Sequence, residues 1–221
     1  DDQVIVDSET GREELARAID HPTGNVHVIP IAIDHGMFRP ATDTANRDEK
    51  APSPYILSVG TIAQHKNLVR ALHAFERLAV SHLTLRWKIA GLRGWGWREF
   101  QRALDRSPAR HRVDVLGVVS DLDLVSYYRG AQALLFPSLV EGFGIPVAEA
   151  LACGTPVAAS NIPAVREIAG DAFVPFDPLD IESIADATER AAYDPDGREP
   201  RREAGMERVS RLTWPRVAER H

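Results

Sequence analysis

The chain has 221 residues, 44% hydrophobic and 26% charged, with a formal net charge of −6. That profile describes a globular chain carrying one full core with something attached, and it excludes a small stapled scaffold, a disordered chain and a coiled coil. The acidic balance argues against a nucleic-acid partner, and the single cysteine, Cys153, cannot close an intrachain disulfide, so a cytoplasmic location is the default expectation.

In chain order, the acidic start Asp1-Asp2-Gln3 runs straight into the apolar Val4-Ile5-Val6, with no initiator Met and no basic signal region, which suggests a fragment of something longer. No run approaches the roughly 20 apolar residues of a membrane span, so a soluble chain is expected, with at most peripheral contact at the inner face of a membrane. Strands are predicted near Val4–Val6, Val26–Ile29, Tyr55–Val59, Arg86–Ala90, Val113–Leu116, Ala133–Phe136, Pro156–Ala159 and Phe173–Pro175, most too apolar to own a wet face. Helical periodicity lies between them: Leu68, Leu72, Phe75 and Leu78 form one stripe, and Ile181, Ile184, Ala185 and Thr188 another. Strands alternating with helices imply an α/β fold, a Rossmann-like doubly wound parallel sheet.

The stretch 39–54, RPATDTANRDEKAPSP, reads as an exposed linker. Residues 1–38 before it hold too little to close a core and read as the remnant of an earlier domain with its crossover. Residues 55–194 form the sheet domain. Beyond the turn Asp194-Pro-Asp-Gly197, residues 195–221 read as terminal helices whose arginines, interleaved with Glu199, Glu203 and Glu207, make a solvated face.

In an open parallel sheet, ligands sit outside the carboxyl ends of the strands, so three loops carry the chemistry. After Phe136 comes Pro-Ser-Leu-Val-Glu-Gly-Phe-Gly-Ile-Pro, a glycine-bracketed turn into a helix with Pro146 at or near its first position. Such a helix start offers free amides and the positive end of the macrodipole to an anion such as a diphosphate, with Gly142 and Gly144 permitting close approach. Glu141 precedes the helix and Glu149 leans back from inside it, so both carboxylates can border one pocket and accept bonds from sugar hydroxyls; capping and solvation are the plainer alternatives. The second loop, Ser58 to Asn67, ends in His65 and Lys66, whose ammonium suits a departing diphosphate. The third, Leu116 to Asp123, has Val118 and Val119 placed to flank a base. Asp121 and Asp123 look like a metal pair, but Ser120 with Asp123 three residues on is a capping box at a helix start. The glycines of Gly91-Leu-Arg-Gly-Trp-Gly-Trp97 miss the order that a dinucleotide turn needs.

Taken together, Glu141-x7-Glu149 within PSLVEGFGIPVAEALACGTPVAAS, SVGTIAQHKN and LGVVSDLDLVSYYRGAQALLFPS resemble the retaining glycosyltransferases of family four (group 1), specifically the C-terminal, donor-binding half of their two-domain GT-B fold. The resemblance implies that Glu149 binds the ribose hydroxyls, Glu141 contacts the donor sugar near the reacting carbon, and Lys66 contacts the diphosphate, with Glu141 and Lys66 as the catalytic pair. It implies a donor site of Gly60, Thr61, His65, Lys66, Val118, Val119, Ser138, Glu141, Gly142, Phe143, Gly144, Ile145 and Glu149, without a metal or other cofactor. Thr61 and His65 stand where many members carry arginines. The wording VGTIAQHKN and AGLRGWGW is most similar to transferases that act on mannose or related hexoses in polysaccharide biosynthesis, making GDP-mannose the preferred nucleotide-sugar donor and a saccharide or lipid-linked molecule the acceptor, bound through an N-terminal domain. A GT-B nucleotide-sugar epimerase or phosphorylase, or a non-catalytic nucleotide-sugar-binding module, are the rival readings.

Overall fold

The computed structural model describes residues 3–18, 25–41 and 53–219. The apolar runs become eight strands: β1 (Val4–Val6), β2 (Val26–Val28), β3 (Tyr55–Val59), β4 (Arg86–Ala90), β5 (Val113–Gly117), β6 (Ala133–Phe136), β7 (Val157–Ser160) and β8 (Val174–Phe176). All lie within a residue or two of their predicted positions. The helices are α1 (Glu9–Ala18), α2 (Leu68–Ser81), α3 (Trp97–Arg106), α4 (Asp121–Gly130), α5 (Ile145–Ala152), α6 (Pro163–Ala169), α7 (Ile181–Tyr193), α8 (Arg198–Val209) and α9 (Trp214–Ala218). Among the described residues no helix is long and apolar enough to cross a membrane.

Strands β1 and β2 pair in parallel by themselves, Val4 opposite Val26. The other six form one parallel sheet in the order β5-β4-β3-β6-β7-β8. Successive strand residues face opposite sides, so each strand feeds two cores. Ile56 and Leu135 join Trp87, Ile89 and Phe75 beneath α2, α3 and α7. Leu57, Leu134 and Phe136 join Val125, Val147 and Val165 beneath α4, α5, α6 and α8. Burial on both faces is why these strands read as unbroken apolar runs rather than alternating ones. One polar device crosses the centre: the Trp87 indole donates to the Ser58 hydroxyl (3.1 Å), which donates to the Leu135 carbonyl (2.7 Å), tying β4, β3 and β6 together inside the core.

Strand order reverses between β3 and β6. The chain leaves β3 through α2 toward β4 on one face, and leaves β6 through α5 toward β7 on the other. The carboxyl ends of these two neighbours therefore open onto a crevice that neither following helix covers.

The predicted linker 39–54 lies mostly outside the described residues, as do positions 42–52. Just before it, Ile33 and Phe38 are buried in the core beneath α4 and α5, and the Ile33 amide donates to the Leu212 carbonyl (2.8 Å). The terminal helices need a correction. The arginines of α8 are not simply a solvated face, because α8 packs on α5 and α6, with Gly205 against Leu151. Arg208 donates to the Ile168 and Glu167 carbonyls (2.7 and 2.8 Å) at the end of α6, and Arg201 pairs with Asp194 (2.9 Å). The helix macrodipole and its unpaired terminal carbonyls give these cations a structural task.

The glycine-rich run 91–97 also has a structural reason. Gly60 and Ile62 donate to the carbonyls of Ala90 and Leu92 (2.9 and 2.8 Å), drawing the loop after β4 tightly against the loop after β3. At Gly91, φ is +149° and an added Cβ would sit 2.0 Å from the Gly60 carbonyl oxygen. Gly117, at φ +73°, has nothing within 4 Å of such a Cβ. Gly91→Ala should therefore lose about 3 kcal/mol or more of stability in urea titrations, and Gly117→Ala only about 1 kcal/mol from backbone strain. Equal losses at both positions would rule out the clash with Gly60 as the cause.

Candidate functional site

Two loops meet over the crevice. The loop after β3 ends in a single 3-10 turn, Gln64–Lys66, and Asn67 in a left-handed conformation (φ 56°) before α2 begins. The Asn67 carboxamide donates to the carbonyls of Pro137 (3.1 Å) and Pro178 (2.8 Å), and its oxygen accepts from Arg70 (2.7 Å). From the loop after β6, the Leu139 amide donates to the His65 carbonyl (2.7 Å). These bonds fix the two loops against each other.

Across that seam, the Lys66 ammonium meets the Glu141 carboxylate at 2.5 Å, with side-chain exposures of 15% and 13%, and lies 5.2 Å from the centroid of the Phe136 ring. So small an exposure means that the pair is held largely out of water, where a charge-assisted bond is strong and neither partner is easily left alone. Lys66, read as a cation waiting for a diphosphate, is thus already engaged by a carboxylate of the site. The stem of Lys66 lies against Gly60. Ser138 is fully buried beside them, and its hydroxyl finds no hydrogen-bond partner among the described residues.

The start of α5 lies next in the chain. Pro146 occupies the second helical position, one later than the nearest expectation, and the Val147 and Ala148 amides turn to the Gly144 carbonyl (2.9 and 3.4 Å). Proline has no N–H, so the donors left at this helix start are the Gly144 and Ile145 amides. Phe143 is buried in the core beneath α5 while its backbone borders the loop, and Gly142 and Ile145 are exposed. One turn inside the helix, Glu149 is mostly buried and its Oε2 accepts from the Tyr128 hydroxyl (2.8 Å). Burial pushes the Glu149 carboxyl up to about 7; the nearby charge of Asp121 adds to this, and the Tyr128 hydrogen bond opposes it. The Tyr128 phenol is itself raised well above its ordinary value by burial and by Glu149, so it remains a donor.

Of the remaining predicted residues, Thr61 and Val118 are exposed, Val119 and His65 are half-buried, and the His65 ring lies 6.2 Å from that of Trp95. The Ser120 cap is as expected, its hydroxyl accepting from the Asp123 amide (3.2 Å), but the Asp123 carboxylate accepts from that hydroxyl (2.6 Å) and not from the Ser120 amide, so the box is only half formed. Among the described residues no three His, Cys, Asp or Glu side chains are grouped to hold a metal. Two clefts of about 700 and 570 Å³ lie against α8 and against the start of α2, and a much smaller pocket is lined by Gly60, Thr61, Lys66, Phe136 and Ser138 at the meeting of the two loops.

Four contributors escaped the sequence. Tyr128 sits at a helical spacing that marks core, and it is core except for its hydroxyl. Asn67 gives no pattern of its own. Ser8, at the end of β1, donates to the Gly142 carbonyl (2.6 Å), and the Glu167 carboxylate accepts from the Glu9 amide (2.7 Å), the Thr10 amide (3.0 Å) and the Thr10 hydroxyl (2.8 Å), securing the start of α1 on α6. Both contacts span well over a hundred positions, beyond the reach of local pattern.

Compared with known proteins, residues 42–208 match the model of the family described as glycosyl transferases group 1. The O-antigen chain mannosyltransferase B of Escherichia coli is 28% identical over 216 residues, covering 96% of this chain and 57% of the relative, so the chain spans little more than half the length of that protein. The sucrose-phosphate synthase of Thermosynechococcus elongatus superposes with a TM-score of 0.85 at 26% identity, over 99% of this chain and 56% of that one. HepE of Anabaena, solved in complex with UDP-glucose, superposes with a TM-score of 0.85 at 16% identity, over 98% of this chain and 62% of that one, a likeness of fold alone.

The raised Glu149 carboxyl makes a prediction independent of any ligand. Between the ordinary value of 4.5 and about 7 the folded chain holds a proton that the unfolded chain releases, so stability falls as pH rises through this window and levels off above it. The stability of wild type relative to Glu149→Gln, followed in urea, should decline by up to about 3 kcal/mol between pH 4.5 and 7.5. A difference that stays flat with pH would show that Glu149 is not held in a penalising environment.

Proposed function

The chain belongs to the group 1 glycosyl transferases, and on that premise we propose that it is the donor-binding half of a retaining hexosyltransferase, moving mannose from GDP-mannose to a saccharide or lipid-linked acceptor. The observation that carries this reading is the junction of the loops after β3 and β6, where Lys66, Glu141 and the start of α5 converge on the crevice at which strand order reverses. Mannose is favoured because E. coli relatives bear mannosyltransferase names. The whole protein would take its acceptor from an N-terminal domain and work at the cytoplasmic face of a membrane.

In this reading the donor diphosphate rests on the Gly144 and Ile145 amides, and Lys66 shares its protons between Glu141 and the phosphate that departs. The bond from the anomeric carbon to that phosphate breaks with its electron pair going to the diphosphate, an acceptor hydroxyl oxygen bonds to the same face of that carbon and its proton passes to the departing phosphate, and the cation and amides gain most as the leaving charge develops. Glu141, released in part from Lys66, accepts from sugar hydroxyls. Glu149 accepts from the vicinal ribose hydroxyls, which suit a carboxylate because both can donate to it. Val118 and Val119 lie against the base. In this reading no metal takes part, and Asp123 is occupied in capping α4.

The test is calorimetric titration of nucleoside diphosphates and of GDP-mannose into the folded chain. GDP should bind in preference to UDP, ADP and TDP. Glu149→Ala should weaken GDP about a hundredfold, as expected for a lost pair of hydrogen bonds to a charged group, and Glu141→Ala should weaken GDP-mannose more than GDP. A folded chain that binds none of these nucleotides would refute the donor-site reading, and equal losses for both ligands in both variants would refute the division of roles.

A further inference from the structure

Tyr128 stands outside every role given so far. It lies on α4, its ring fully buried against Phe38 at a centroid distance of 6.2 Å in an edge-on arrangement. Its backbone is anchored too, because the Tyr128 carbonyl accepts from the Thr155 hydroxyl (2.8 Å) at the far end of α5. A ring held on its face, and a main chain held at its carbonyl, leave the hydroxyl one place to be, 2.8 Å from Oε2 of Glu149. The ring contributes apolar area to the core, but that does not account for a phenol in place of a phenylalanine. A buried hydroxyl is costly unless it is bonded, and its bond goes to a carboxylate at the edge of the site rather than to a nearby carbonyl.

From this arrangement we infer that Tyr128 is a positioning residue for nucleotide binding: by donating to Oε2 it fixes the rotamer of Glu149 and leaves Oε1 to accept from the ligand's diol. This rests on the reading of Glu149 as a nucleotide ligand. A glutamate left free to rotate would lose side-chain entropy on binding; one already pinned loses less. The charged and titratable groups around it act in both directions. Asp121, at the start of α4, and burial disfavour the carboxylate, whereas the Tyr128 bond favours it. Cys153, at the end of α5, stays a thiol, raised to about 12 by burial, with Arg129 of α4 facing it. Tyr128 is thus the one hydrogen-bond donor among these groups that favours ionised Glu149.

The experiment compares wild type, Tyr128→Phe and Glu149→Gln. Two quantities are read for each: GDP affinity from pH 5.5 to 8.5, and, where residue 149 is still glutamate, the titration of its side-chain carboxyl carbon by NMR without ligand. Phenylalanine keeps the buried ring, and the NMR spectrum itself reports that the variant is folded. In wild type, GDP affinity should fall below about pH 7 as Glu149 takes up its proton, and Glu149→Gln should abolish that limb. In Tyr128→Phe the Glu149 titration should move to higher pH, the acid limb of GDP binding should move with it, and affinity at pH 8.5 should still be severalfold weaker because the rotamer is no longer held. If Glu149 titrates alike in wild type and Tyr128→Phe, or if GDP affinities coincide across the range, the positioning role is wrong even though Glu149 binds nucleotide. If Glu149→Gln binds GDP as wild type does at every pH, Glu149 is not a nucleotide ligand, and both readings fall together.

Discussion

Two adjacent parallel strands whose chain continuations depart to opposite faces of a sheet cannot cover their own carboxyl ends. That constraint governs this molecule. Right-handed crossovers send β3 to its neighbour through α2 on one face and β6 to its neighbour through α5 on the other, so an opening remains between them. Everything with chemical interest is a response to that gap. Asn67, with bonds to Pro137 and Pro178, and the contact between Leu139 and His65 close it from below, and the Lys66–Glu141 pair spans it from above. Two loops from strands far apart in sequence become a single rigid rim.

A rim so built is expensive in buried polarity, and most of its groups, the Ser138 hydroxyl excepted, are satisfied by specific protein partners. Lys66 and Glu141 neutralise each other, Tyr128 takes the inner oxygen of Glu149, and α5 offers only the amides that its proline and its first carbonyl leave over. Charge and hydrogen-bonding capacity are therefore held in fixed positions around the crevice. Preorganisation of this kind is what an electrostatically driven group transfer needs.

Much of this was legible in the sequence, and the boundary of what was not is physical. Strands buried on both faces announce themselves as continuous apolar runs, as Ala133 to Phe136 does, and Leu68, Leu72, Phe75 and Leu78 spell a helix stripe by spacing alone. The capping of α4 by Ser120 was readable because its partner is three residues away. Pairings across the fold leave no such trace. Nothing in the string says that Lys66 will find Glu141 seventy-five positions on, that Arg208 will close the end of α6, or that a tyrosine in a core stripe will send its hydroxyl to Glu149. Motif could nominate candidate residues such as Lys66, Glu141 and Glu149; their bonding states required the packed structure. The reading of the α8 arginines erred for the same reason, since a charged face in sequence is indifferent to whether another helix end lies beneath it.

The bond from Ser8 to the Gly142 carbonyl ties the first strand pair to the very turn that precedes α5. The conformation of that turn and the placement of β1 are consequently tied through one contact. Whatever reshapes the turn at Gly142 alters the hold on Ser8, and whatever displaces Ser8 alters the support of the turn. One hydroxyl thus lets two parts of the chain sense each other's load.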